Sequence, residues 1–354
     1  MKILSTILFL SVTLTSFAQD DLSNYLRNHN YSFSINDGFD QRTSDTLKKK
    51  LGSYKLILQA EGGSHDLKIY DKLPVVWTTF LSSNFGLTHF FLEFSHPSAI
   101  CVNQYLQTAD AQNLYNKKAA FWEQFLRFNS KLDTNKRLET FGIDFNRPSS
   151  YLKGLKLLLP NVVPPETIKN GISLINQNID TILNCDDILS INAILKKGLA
   201  NYRTEYKQYL GKFFEDFERI IVGKGTCNDV YKNRNFNMAD NFLSFDSQKN
   251  DKMYYGQLGM AHTILSNKVF SNIVNKSSNF KDKVCVINLY CHNCFTEKEP
   301  VSNWPLKKID DDIQKYFLPL CVSDFTLFDL SENIELIEKY RSFGQYLIIA
   351  KNQN

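Results

Sequence analysis

Hydrophobic and polar positions along the chain alternate between two patterns. "KLILQA" (55–60), "HFFLEF" (89–94), "RLETFGIDF" (137–145), "MYYGQLGMAH" (253–262), "KVCVINLY" (283–290) and "QYLIIAK" (345–351) are short, nearly continuous apolar runs. Runs of that length predict strands buried on both faces. Between them apolar residues recur at helical spacing: over 66–83, interrupted by Pro74, over 98–107, and in "AAFWEQFLRF" (119–128). Strands separated by helices predict an α/β fold, with a mainly parallel central sheet covered by helices on both faces.

From about 150 to 222 the strand-like runs vanish. "PNVVPPE" reads as a breaker-rich linker, and the residues after it keep helical spacing through "FFEDFERII". The expectation is a helical insertion within a single α/β domain spanning 19–354. Ahead of that domain, "MKILSTILFLSVTLTSFAQD" has the form of a signal peptide over residues 1–18: Lys2, an apolar stretch over 3–14, and the small-x-small site Ser16-Phe17-Ala18. Cleavage after Ala18 would make the protein secreted or periplasmic. No later run reaches spanning length, so no stable membrane anchor is expected.

Composition narrows the partners. The chain is 43% hydrophobic and 22% charged, which is globular. A formal net charge of +4 over 354 residues, without a basic tract, gives no reason to expect nucleic acid. Seven cysteines (Cys101, Cys185, Cys227, Cys285, Cys291, Cys294 and Cys321) are an odd number, so at least one stays free or pairs between chains. Cys291 and Cys294 form a lone C-x-x-C in "YCHNC". With no second such pair they read as a disulfide or two thiols after a strand, rather than as a redox or zinc site.

In open α/β sheets ligands bind beyond the carboxyl ends of the strands. Polar residues close the apolar runs there: Glu61 and His65 after the first, Glu93 and His96 at the second, Asp144 at the third, His262 at the fourth. Glu93 lies among Phe91, Leu92 and Phe94, where a carboxylate needs a partner to offset its lost hydration. Arg234, opening the helix-like "RNFNMADNF", is the candidate cation, because a guanidinium grips a carboxylate with two parallel bonds. G-x-S-x-G is absent, so no nucleophile elbow competes.

Five segments together resemble a known family: "LILQAEGGSHDL", "FFLEFSHPSAICVNQYL", "TFGIDF", "RNFNMADN" and "YYGQLGMAH". In order and spacing they resemble the erythromycin esterase-like hydrolases, part of a wider superfamily that includes ChaN-type haem-binding proteins and Tiki-type metalloproteases. The resemblance runs from about residue 40 to the C-terminus. It implies a small-molecule ester-like substrate, no cofactor, and water attack with a histidine as general base. Carried onto this chain, the catalytic residues would be Glu61, His65, Glu93, Arg234 and His262. Glu61 would orient the base, and Arg234 or His262 would stabilise charge on the oxygen. Glu61 precedes His65 by four residues where the family has three, and Ala60 and Asp66 replace its glycines. Two alternatives stay open. Glu61, His65, Glu93 and His262 could instead ligate zinc or manganese in a metal-dependent hydrolase or peptidase. A secreted binding protein could also keep this fold with a degenerate site.

Overall fold

The structure is a computed structural model describing residues 21–62, 68–114, 119–178, 183–227, 230–264, 266–295, 300–301, 303, 306–333 and 344–353. The signal-peptide segment and His65 lie outside the described residues.

Eight strands form one mixed, mostly parallel sheet: β1 (Asn30–Phe33), β2 (Leu56–Glu61), β3 (His89–Ser95), β4 (Glu139–Asp144), β5 (Tyr254–Gly259), β6 (Val284–His292), β7 (Phe325–Asp329) and β8 (Tyr346–Lys351), in the order β1-β7-β8-β6-β2-β5-β3-β4. The architecture is α/β, as the alternating pattern predicts. The strands the apolar runs mark all pair in parallel, while β7 is antiparallel to both its neighbours, β1 and β8. β1 and β7 escape the sequence pattern for a simple reason. "NYSF" is four residues long and mostly half-exposed, and "FTLFD" is only five residues long, so neither builds a long periodic signal.

Both faces are covered because both are apolar. On one face Ile57, Phe90, Tyr255, Ile287 and Ile348 pack with Leu47 and Leu51 of the helix Gln41–Leu51, Leu73 and Trp77 of the helix Ile69–Phe85, and Phe125 of the helix Ala119–Asn129. On the other, Leu58, Phe91, Phe141, Leu258 and Val286 meet Met238, Phe242 and Phe245 of the helix Val230–Lys249 and Phe270 of the helix Phe270–Asn275. Each such side chain buried contributes about 1.5–3 kcal/mol.

Between β4 and β5 the described residues form helices and no strand: Pro148–Leu157, Glu166–Gln177, Cys185–Asn201, Arg203–Leu210 and Phe214–Val222 are the main ones before Val230–Lys249. Tyr151, Leu155, Ile172, Ile188, Leu195 and Phe217 give this segment a core of its own. Asn184 caps the helix Cys185–Asn201 in a reciprocal capping box with Asp187. A disulfide joins Cys185 to Cys227 across 42 residues of sequence. Closing a loop of that size in the unfolded chain stabilises the folded one by about 4 kcal/mol in the chain-entropy account. Cys291 and Cys294 are buried free thiols, as are Cys101, Cys285 and Cys321.

Pro74 does not interrupt its helix, which runs unbroken over Ile69–Phe85. Proline lacks the N–H that would reach back four residues, here to the carbonyl of Tyr70. That carbonyl accepts from Gln257 Nε2 instead, at 3.0 Å. A polar strand residue takes the place of the missing helix donor, and this allows the helix to continue.

Candidate functional site

Glu61, Glu93, Asp144 and His262, four of the residues expected at the strand ends, lie at the carboxyl edge of β2, β5, β3 and β4. Glu93 owes its position to an irregularity. β3 and β4 run in register from His89↔Glu139 to Leu92↔Gly142, and then Ser95, not Phe94, pairs with Asp144. One extra residue in β3 makes a bulge at the end of the pair, a device that re-aims a side chain. Gly142 makes the bulge possible, because a Cβ there would lie 2.1 Å from the Ser95 backbone.

Arg234 is delivered by a kink. The helix Val230–Lys249 leaves helical geometry at Asn233 (φ −123°, ψ 16°), so Arg234 opens its second segment, as the sequence suggests. Arg234 Nε donates to Asp144 Oδ1 (3.0 Å), and Nη2 donates to Asp144 Oδ2 (2.7 Å) and Glu93 Oε1 (2.6 Å). Glu93 Oε2 accepts from the Gly259 N–H at 2.9 Å. Burial pulls the Glu93 carboxyl upward, but His262, Arg234 and the Gly259 amide outweigh it and hold Glu93 below its ordinary value. Arg234 is held above its own ordinary value: burial opposes the charge, and Asp144 and Glu93 more than offset that. Glu93 and Arg234 are therefore both charged, and Asp144 lies between Arg234 and Arg147, whose Nη2 is 3.7 Å away.

His262 does not end β5. The strand stops at Gly259, and His262 sits in the single helical turn Met260–Thr263. Gly259 leads into that turn with extended geometry (φ −53°, ψ 140°), which folds His262 back over the sheet edge. Its Nε2 lies 3.7 Å from Glu93 Oε1, and its Nδ1 lies 2.8 Å from Asn235 Oδ1. Glu61 approaches from β2, where it is the register partner of Gly259. Its Oε1 accepts from Gln257 Nε2 at 2.7 Å. Gln257 thus links Glu61 to the Tyr70 carbonyl that Pro74 leaves open. Tyr70 also holds the next residue, its hydroxyl accepting from the Gly62 N–H at 2.6 Å.

Among the predicted residues, the structure brings together Glu93, Arg234 and His262, and places Glu61 on the strand position beside Gly259. It sends His96 elsewhere. That ring is buried against Asp216 and Arg219, on the side of the helical segment. Sequence reasoning passed over Asp144 as a partner of Arg234, and missed Asn235, Gln257 and Tyr70. Pro74 was the available signal for the last two, because a proline inside a helix leaves a carbonyl to be claimed. Asn235 had only its place beside Arg234.

The chemistry open to this arrangement is proton transfer next to fixed charge. With Nε and Nη2 committed to carboxylates, Arg234 organises the site and is not a mobile grip for substrate. Among the described residues, no group of three or more His, Cys, Asp or Glu is placed to hold a metal ion. Glu93 points its oxygens at a guanidinium and an amide, which are donors and not a cation's coordination sphere.

No family model matches the chain, and no curated protein matches it in sequence. Solved structures do. A protein from Bacillus cereus superposes with a TM-score of 0.65 at 14% identity, over 94% of this chain and 97% of that one. A succinoglycan biosynthesis protein gives 0.64 at 11% identity, over 94% and 97%. A mutant of the erythromycin esterase EreC, in its open conformation, gives 0.60 at 12% identity, over 89% and 94%. At these identities the likeness is one of fold: the chain is a divergent bearer of the erythromycin esterase-like fold.

Proposed function

We propose that the protein is a hydrolase that uses water to open an ester or related acyl bond in a small molecule, without a metal ion. The observation that carries this reading is the convergence of Glu93, Asp144, Arg234 and His262 at the carboxyl edge of the sheet, in a fold shared with EreC. Water attack needs a base, and His65 has that part. It follows Gly62, whose amide Tyr70 anchors, so the chain enters the His65 segment from a fixed point. His262, as the imidazolium facing Glu93 through Nε2, gives a proton to the oxygen that gathers charge. Arg234 supplies a standing positive field, which costs no rearrangement at the moment of reaction.

Export after Ala18 belongs to the same proposal. The Cys185–Cys227 disulfide supports it, since such bonds persist in oxidising compartments. No described helix is long and apolar enough to cross a membrane.

The test is turnover of a panel of ester substrates by the purified protein, with and without chelator. The expected result is chelator-insensitive hydrolysis that His65→Ala lowers by about a hundredfold or more, with the thermal midpoint unchanged. Loss of turnover restored by zinc or manganese would transfer the site to metal chemistry. No hydrolysis across the panel, with ligand binding that survives His65→Ala, would make the protein a binder and end the hydrolytic reading.

A further inference from the structure

Asn235 stands beside Arg234 and has no part in the scheme above. Its Oδ1 accepts from the Phe270 N–H at 3.1 Å and lies 2.8 Å from His262 Nδ1. Which end of an amide faces a neighbour is decided by the bonds available to it. A backbone N–H can only donate, so the end of Asn235 that meets Phe270 is the oxygen. The same oxygen faces His262, so the ring nitrogen opposite it must donate as well. The amide at the start of the helix Phe270–Asn275 thereby dictates, through Asn235, where His262 carries its proton. The other ring nitrogen, Nε2, is turned to Glu93 at 3.7 Å.

We propose that Asn235 is a positioning residue, which keeps Nδ1 of His262 protonated and aims Nε2 at the edge beside Glu93, so that the proton exchanged with substrate passes through Nε2. The arrangement belongs to the general class in which a hydrogen bond at one ring nitrogen sets the role of the other. An exposed imidazole has no such instruction and samples both tautomers. The kinetic part of this proposal rests on the hydrolytic reading, and the tautomer part does not.

The experiment uses the full folded chain with ¹⁵N-labelled histidine. Two-bond ¹H–¹⁵N spectra are recorded at a pH where rings are neutral, and the His262 signals are identified by their loss in His262→Gln. The expected result is a His262 with Nδ1 protonated, preserved in Asn235→Asp, whose carboxylate accepts both bonds, and lost in Asn235→Leu. A His262 protonated at Nε2 alone, or one unchanged by Asn235→Leu, overturns the proposal whether or not the protein hydrolyses anything. Where a substrate is in hand, Asn235→Leu should lower kcat by roughly tenfold to a hundredfold with KM within about twofold, and Asn235→Asp should recover most of kcat. An equal loss in both variants, or a change in KM alone, would overturn the kinetic part. If no substrate is turned over by the unaltered chain, the functional reading fails while the spectra still decide the tautomer.

Discussion

At the carboxyl edge of the sheet Arg234 joins Glu93 and Asp144 beside His262, while between β4 and the helical segment Arg219 joins Asp216 beside His96. The parts are alike and their arrangement differs. At the edge Arg234 bridges Glu93 and Asp144, Asp144 also faces Arg147 Nη2 at 3.7 Å, and a backbone amide donates to Glu93. In the second cluster one carboxylate meets one guanidinium: Arg219 Nη1 donates to Asp216 Oδ1 at 2.7 Å, Nη2 donates to Gln248, and the cation lies 4.7 Å over the Phe245 ring. His96, 3.1 Å from Asp216, is held below its ordinary value by burial and by Arg219, so it stays neutral. Its Nδ1 accepts from the Gly142 N–H at 3.4 Å, and its Nε2 lies 3.1 Å from both Asp216 Oδ1 and Arg219 Nη1. Placement thus separates the two. The second cluster bolts a helix to the sheet, and the edge cluster sets Glu93 3.7 Å from His262 where the strands end.

The comparison can be broken by removing one charge from each cluster. Arg219→Ala should have the largest effect on folding, about 3 kcal/mol in urea unfolding, because it removes a buried guanidinium and strips Gln248 and the half-buried Asp216 of their shared partner. A loss below about 1 kcal/mol would mean the bolt contributes little. Glu93→Gln should act on function: about a hundredfold less turnover, with a stability loss under about 2 kcal/mol. A stability loss matching that of Arg219→Ala, with turnover intact, would make the edge cluster structural too.

Acid should loosen the second cluster. Asp216 is drawn down to about 2, its burial outweighed by His96 and Arg219. A depressed carboxyl contributes stability above its unfolded value near 3.8, and that contribution fades as pH falls toward 2. His96, also depressed, adds a loss that begins as pH drops below the unfolded value of 6.5, where only the unfolded ring takes a proton. Stability should therefore decline from about pH 6.5 downward, and Asp216→Asn should flatten the lower part of that curve. An unchanged slope would contradict the assignment. The smallest effect belongs to an exposed pair with neither burial nor network. Glu123→Ala, which frees Arg127 at 2.7 Å on a solvent face, should change stability by less than about 0.5 kcal/mol.

Much of the fold is legible in the apolar runs, because a strand buried on both faces cannot hide its composition. β2, β3, β5, β6 and β8 all follow their runs to within a few residues. The ends are less legible. His262 closes a nearly continuous apolar run yet lies in a helical turn, since the backbone changes direction at Gly259 without a change in hydrophobicity. Pro74 reads as a stop, and it fails to stop the helix only because Gln257, far along the chain, takes over a carbonyl.

What the sequence by itself determined is therefore local: which runs must be buried, and that Glu61, Glu93, Asp144 and His262 fall where such runs close. Periodicity is a property of neighbouring residues, and burial demands it wherever a strand lies inside. Only the tertiary structure decided the partners. Glu93 and Arg234 are 141 residues apart, and Arg234 and Asp144 are 90 apart. Their meeting depends on the bulge in β3, the kink at Asn233 and the packing of one helix over β4, none of which a one-dimensional pattern carries. The same holds for the two histidines. His96 and His262 look alike along the chain, and the groups around their rings are ones that only folding brings near: Gly142, Asp216 and Arg219 for the first, Asn235 and Glu93 for the second.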